Sequence, residues 1–319
     1  MNYRAMQNPV SRPNFFIVGA PKCGTTSMHA YLSQHPEIYM AEKEIQYFAS
    51  DIIEPWQHEV NPEEKYLSYF TSGKNEKIIG DASVWYLYSR QAASKINEFC
   101  NNAKILIMLR NPADMLYSYY NFFHRLGKED IDKFEDALDA EQERREGKRI
   151  PKWLQNEEIG EYFPPEGLFY SDVASYTIQV KRYLDIFGKD NIKIILFDNF
   201  TNATLQTYEE TLSFLEVDAR FQPKVERKNP GLRKQVRFKT LRKLVKNPAT
   251  LSLAKTLRKS PAKNWTSQLI NAWASISQDY VPVPPLNSSL RATLIRAYAK
   301  DIQDLSDLIN QDLSHWMEI

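Results

Sequence analysis

The chain predicts a three-layer α/β fold, a parallel sheet covered by helices on both faces. Four short runs, Phe15–Val18, Lys77–Gly80, Lys104–Leu109 and Ile192–Phe197, are nearly continuous in apolar residues, as strands buried on both faces should be. Stretches with helical spacing separate them, which gives each parallel connection its crossover helix. A loop rich in glycine and hydroxyl residues follows the first run, and ligands of open α/β sheets bind at that carboxyl end of the strands.

That first loop is the most informative segment. Gly19 and Gly24 have the spacing that opens a nucleotide triphosphate loop, but Thr25 and Thr26 stand where such a loop carries Lys and then Ser or Thr. Lys22 lies inside the loop instead, a placement suited to a shorter anhydride. The helical pattern of Ser27–Ser33 begins where the loop ends, so Lys22, Cys23, Gly24, Thr25, Thr26 and Ser27 form an anion cradle at a helix N-terminus. The expected architecture is therefore a P-loop-like nucleotide fold. Cys23 is expected to be a small filler of the loop rather than a reactive thiolate, because no partner for it is evident.

The second run leads to Asp81 and Ser83. The third ends in Arg110, followed by Asn111-Pro112 at a helix start and by Ser118, eight positions after Arg110 and on the same helix. Arg at a strand's carboxyl end offers a planar fork of donors, and a hydroxyl two turns into the helix can face the same anion. The alternative for Arg110 is a local carboxylate such as Asp114. Further on, Phe134–Arg149 reads as a solvated helix and Ile150–Leu168, with its prolines and aromatics, as a long functional loop. Tyr170–Phe187 and Thr204–Leu215 have helical spacing again.

From Glu226 to Asp279 no intervening acidic residue occurs while Lys and Arg recur, so a basic, helical C-terminal part is expected from about residue 227. Within it Arg237–Lys246 fits an amphipathic helix, either packed on a core, collaring an anionic acceptor, or touching a membrane surface or nucleic acid. The expected organisation is a flexible tail over residues 1–12 and a single domain over 13–319. The formal net charge of +1 argues against wholesale nucleic-acid binding. Only two cysteines in 319 residues exclude a disulfide scaffold. The polar first dozen residues and the lack of any long apolar run point to no signal peptide and no transmembrane segment, hence to a cytoplasmic protein. No Cys/His cluster and no acidic pair suggests a metal.

Two anion sites on neighbouring strand ends imply a ligand charged at both ends. The ordered set Pro21-Lys-Cys-Gly-Thr-Thr-Ser27, Arg110 and Ser118 resembles the sulfotransferases that use 3'-phosphoadenosine 5'-phosphosulfate (PAPS). The resemblance extends through His35-Pro36, the entry to the Gly167–Tyr183 helix and the Ile192–Leu215 strand-helix unit. It implies that the first loop binds the 5'-phosphosulfate, that Arg110 and Ser118 bind the 3'-phosphate, and that Lys22 neutralises the leaving phosphate, with 3'-phosphoadenosine 5'-phosphate (PAP) as product and no metal.

Lys43-Glu44-Ile-Gln-Tyr47-Phe48 is most similar to the Lys-Glu-x-x-Phe/Tyr-Phe motif of the glycan-modifying, heparan-type branch, which implies Glu44 as catalytic base. Lys43, Asp81 and Ser83 fall where family members border the acceptor. The cytosolic small-molecule branch uses a histidine base; of the five histidines His124 is the strongest rival, and His35 looks structural. Lys228–Arg233 is similar to the late loop that closes over the adenosine, which nominates Gly231 and Arg233. A saccharide or a small metabolite remains open as acceptor, as does homo-oligomerisation. Two other readings stand beside this one: a phosphate-loop kinase or NTPase, and a non-catalytic polyanion binder on the same fold.

Overall fold

The computed structural model describes residues 11–53, 62–73, 75–151, 164–225, 232–236 and 278–319. Contacts divide the chain into two compact units, residues 1–228 with 286–319, and residues 229–285.

The first unit is built on five parallel strands, β1 (Phe15–Gly19), β2 (Ile38–Met40), β3 (Ile78–Ala82), β4 (Lys104–Leu109) and β5 (Ile192–Leu196). Their order is β2-β3-β1-β4-β5. All four expected apolar runs are strands, and every residue of β1 and β3 is buried, as a sheet covered on both faces demands. β2 was not expected. Three residues are too few for a hydrophobic period; it forms because Ile38, Tyr39 and Met40 register against Ile78, Ile79 and Gly80 of β3.

Helices fill the connections: α1 (Thr25–Leu32), α2 (Pro62–Ser68), α3 (Trp85–Tyr88), α4 (Ala92–Phe99), α5 (Pro112–Leu126), α6 (Phe134–Asp139), α7 (Glu141–Arg145), α8 (Tyr170–Val173), α9 (Tyr176–Phe187), α10 (Phe197–Asn202) and α11 (Thr204–Phe214). α5 has local sequence signals at both ends. Asn111 caps it by accepting from the Ala113 amide, Pro112 follows at the first turn, and Gly127 at φ 74° ends it. Its inner face buries Met115, Leu116, Tyr119, Tyr120 and Phe123, side chains worth roughly 1.5–3 kcal/mol each when fully withdrawn from water.

Three expectations are corrected. The 134–149 segment is not simply solvated: it is two short helices, and Phe134, Ala137, Glu141 and Arg144 are buried. Of the tail expected over residues 1–12, the two described residues are tied down: the Ser11 hydroxyl donates to the Gly73 carbonyl at 2.6 Å and the Arg12 guanidinium pairs with Glu63 at 3.0 Å. The last long helix, α12 (Ser288–Ile309), belongs to the first unit and not to a basic extension. It packs on α9, where the Asp301 carboxylate accepts from the Tyr176 and Thr177 amides at 3.1 and 3.3 Å and so caps α9 from outside its own sequence.

In the second unit the described residues form an antiparallel pair, β6 (Leu232–Val236) with β7 (Gln278–Pro282). The stretch 237–246, expected as an amphipathic helix, lies outside the described residues. Among the described residues no helix is long and apolar enough to cross a membrane.

Candidate active site

The chain runs from β1 to β2 and β3 on one side of β1, then to β4 and β5 on the other. The loops leaving the adjacent strands β1 and β4 therefore flank the point where the connections diverge, the position at which an open α/β sheet leaves a crevice. These are the two loops predicted to hold anions.

The first loop needs its glycines. At Gly19, φ is +151° and an added Cβ would lie 2.7 Å from Leu87 Cβ. Gly24 caps α1 in the left-handed region at φ +91°, with the Phe200 ring 3.1 Å from where a Cβ would be. α1 begins at Thr25, and the Gly24 carbonyl accepts from the Ser27 and Met28 amides at 3.0 and 3.1 Å. The Lys22 ammonium lies 4.2 Å from the centre of the Phe122 ring, and burial, then the neighbouring Arg125, Arg110 and Lys43 charges, push its pKa down to about 8. Cys23 is fully buried; its thiol donates to the Pro21 carbonyl at 3.4 Å, and burial pushes it up to about 12. Only its backbone is available to a ligand, so it is the filler expected from the sequence. Thr25 is buried, Thr26 exposed and Ser27 half-buried.

Arg110 stacks over the Phe197 ring at 4.7 Å. Phe197 also closes against Gly24, its Cδ2 3.3 Å from the position of a Cβ there, so one ring ties the two loops together. Asp114 does not pair with Arg110; it pairs with Arg291 at 3.4 Å. Among the described residues no carboxylate neutralises Arg110, and Ser118 is half-buried on α5. A support invisible in the sequence braces this corner. The buried Trp316 donates its indole N–H to Asp198 at 2.9 Å and accepts from the Asn111 side chain at 2.8 Å, clamping the residues next to Phe197 and Arg110.

Glu44 is tied to the first loop through its neighbour Lys43. Its Oε2 accepts from Gln46 Nε2 at 2.6 Å and from the Val84 amide at 2.8 Å, and its Oε1 is 3.2 Å from the Lys43 ammonium. Lys43 also donates to the Thr25 and Thr26 hydroxyls at 3.1 and 3.4 Å, which joins the Glu44 segment to the first turn of α1. Roughly a third of the Glu44 side chain stays exposed, at 35%.

Asp81 and Ser83, expected beside the acceptor, have no exposed surface at all. Asp81 accepts from the hydroxyls of Tyr66 at 3.0 Å, Tyr86 at 2.7 Å and Ser83 at 2.7 Å, and burial pushes its carboxyl up to about 6. Ser83 in turn accepts from the Gln46 amide at 3.0 Å. The pair lies beneath the site and shapes the turn that presents Glu44. Sequence reading places it correctly near the second strand's end but cannot tell a residue under a loop from one on its surface.

The rival histidine, His124, turns to Asp132 at 3.2 Å, and His35 is buried between the Asp218 carbonyl and the Glu37 amide. Gly231 lies outside the described residues, and Arg233 is a residue of β6 in the second unit. Residues 152–163, most of the long loop expected over 150–168, also lie outside them, as do residues 54–61. Among the described residues no group of His, Cys, Asp and Glu is arranged to hold a metal ion.

Comparison with known proteins agrees with this geometry. The chain is 30% identical to the crystal structure of a sulfotransferase from Alicyclobacillus acidocaldarius, covering 97% of this chain and all of that one with a TM-score of 0.69. Carbohydrate sulfotransferase 15 of Rattus norvegicus is 25% identical over 249 residues, 64% of this chain and 44% of that protein. The bifunctional heparan sulfate N-deacetylase/N-sulfotransferase 3 of Homo sapiens is 25% identical over 230 residues, 62% of this chain and 25% of that protein. The membrane-associated sulfotransferase kil1 of Dictyostelium discoideum is 34% identical over 111 residues, 34% of this chain and 23% of that protein. The chain thus spans less than half the length of these curated relatives. Residues 12–282 match the sulfotransferase domain family, and the chain belongs to that family.

Proposed function

We propose that this protein transfers the sulfuryl group of PAPS to a hydroxyl or amine of its acceptor and releases PAP. The acceptor's nucleophilic atom attacks sulfur as its proton passes to a Glu44 carboxylate oxygen; the bond from sulfur to the 5'-phosphate oxygen breaks, and Lys22 meets the charge left on that oxygen. Arg110 and Ser118 hold the 3'-phosphate, and the amides and hydroxyls of Gly24 to Ser27 hold the 5'-phosphate. The names of two relatives, a carbohydrate and a heparan sulfate sulfotransferase, favour a saccharide over a small metabolite.

One observation carries the reading: Lys43 touches Thr25, Thr26 and Glu44 at once, so base and phosphate loop share one side chain. An NTPase loop would instead carry Lys and then Ser or Thr after Gly24, where Thr25 and Thr26 stand. The test is Glu44→Gln. Its turnover with labelled donor and a panel of saccharide acceptors is expected to fall by about 100- to 10,000-fold while calorimetric PAP affinity is retained. Normal turnover by this variant removes Glu44 from the chemistry, and stabilisation of the wild-type protein by ATP with Mg2+ but not by PAP replaces the reading with an NTPase one.

A further inference from the structure

Beyond Lys22 the site carries a cation that the reaction as written does not use. Ser118, Phe122 and Arg125 follow one another at four and then three positions along α5, which puts them on one face of the helix. At a rise of about 1.5 Å per residue, Arg125 is about 10 Å further along the axis than Ser118. Phe122, between them, is shared: the Lys22 ammonium lies 4.2 Å from its ring centre and the Arg125 guanidinium 5.4 Å. Passing along this face from the proposed 3'-phosphate group Ser118, one meets Lys22 over Phe122 and then Arg125.

Arg125 is half-buried, and among the described residues it has no hydrogen-bond or ion-pair partner. Two of the acids that follow it in sequence are engaged elsewhere. Glu129 is buried against Arg144 at 2.8 Å and Tyr170 at 2.7 Å, and Asp132 faces His124. The helix end is fixed as well, since the Lys128 and Glu129 amides both donate to the Phe123 carbonyl, at 2.8 and 3.2 Å. Of the charges that depress the Lys22 ammonium, Arg125 acts most strongly, ahead of Arg110 and Lys43. A fold that holds like charges together without an acid between them gains when an anion enters.

We infer that Arg125 contacts the sulfuryl end of the donor, its guanidinium pairing with the sulfonate oxygens beyond the bridging oxygen that Lys22 faces. This rests on the PAPS reading above. Glu44 approaches the loop from another element, through Lys43 and the first turn of α1, so Arg125 lies on the donor's wall of the site and not on the base's.

The two nucleotides separate this role from all others, because PAP carries both phosphates and lacks the sulfuryl group. Calorimetry in the absence of acceptor is run on the wild type, Arg125→Ala and Arg125→Lys, with thermal melting to verify folding. Arg125→Ala is expected to bind PAPS about 10- to 100-fold more weakly while PAP affinity changes by less than about threefold, and Arg125→Lys to recover part of the loss. Equal loss for both nucleotides makes Arg125 a general phosphate contact and overturns the inference. Unchanged binding of both with a raised acceptor KM also overturns it, by assigning the guanidinium to an acidic acceptor. A wild-type protein that binds neither nucleotide fails the PAPS reading itself, a result that no Arg125 variant can imitate.

Discussion

Two arginines near the end of α5 have opposite fates. Arg144 of α7 is 3% exposed and paired with the buried Glu129, which also accepts from the Tyr170 hydroxyl. Arg125 is half-buried over Phe122 with no acid against it among the described residues, in the company of Lys22 and Arg110. The buried pair fixes the turn after α5; Lys22, Arg110 and Arg125 rest on aromatic rings with no carboxylate paired to them among the described residues. Charge that the fold neutralises is scaffold, and charge left without a counter-ion marks where a ligand must supply one.

The comparison breaks if the buried pair is dispensable. Glu129→Ala leaves the Arg144 charge in the interior and is expected to cost about 3–5 kcal/mol in urea unfolding. The Arg144 Nε and Nη1 atoms are already buried without partners among the described residues, so the pair is imperfectly satisfied. A double replacement, Glu129→Leu with Arg144→Met, is therefore expected to recover most of that loss. A Glu129→Ala protein as stable as the wild type would mean that the pair contributes nothing to the scaffold.

A middle-sized effect sharpens the comparison at the other loop. Trp316→Phe removes the indole N–H that donates to Asp198 and loosens the clamp beside Arg110 and Phe197. A lost bond to a charged group corresponds to about 1.5–3 kcal/mol. The expectation is that PAP binds about tenfold more weakly while adenosine 5'-phosphate, which lacks the 3'-phosphate, loses less than about threefold. Equal losses for the two nucleotides would show that Trp316 supports the site as a whole.

The smallest effect is pH dependence. In the free protein Lys22 titrates near pH 8, below its ordinary 10.5, and an anionic ligand prefers the protonated form. PAP affinity is thus expected to be flat below about pH 8 and to fall by up to about tenfold per pH unit above it, with Lys22→Arg flattening the profile. Stability moves the other way. Between about 8 and 10.5 the unfolded chain keeps a proton that the folded one has lost, so the fold gains stability as pH rises through that window. A wild-type affinity independent of pH from 7 to 9.5 would place Lys22 outside the anion site.

Much of the donor side was legible in the sequence because it depends on local patterns. The Gly19–Gly24 spacing, the apolar run into Arg110 and the Asn-Pro helix start each act over a few residues, and the structure sets the two loops on adjacent strands. Arg125 was missed although the signal was present, since 118, 122 and 125 share a helical face. Asp81 and Ser83 are expected beside the acceptor but lie fully buried, because sequence position says where a strand ends but not what covers it. The buried face of residues 134–145 was missed for a related reason: its Glu and Arg residues look solvated until Arg144 meets the buried Glu129 and Glu141 accepts from the Ser171 amide, 30 residues on.

Local sequence encodes the sheet, the glycine-bounded loop after β1 and the cations at the two strand ends, because backbone periodicity, helix caps and glycine conformations are local properties. Tertiary contacts set which charges stay unpaired among the described residues, that Glu44 keeps exposed surface while Asp81 is buried, and which ring ties two loops together. Those outcomes depend on contacts between residues far apart in the chain, such as Asn111 with Trp316, and no local pattern encodes them.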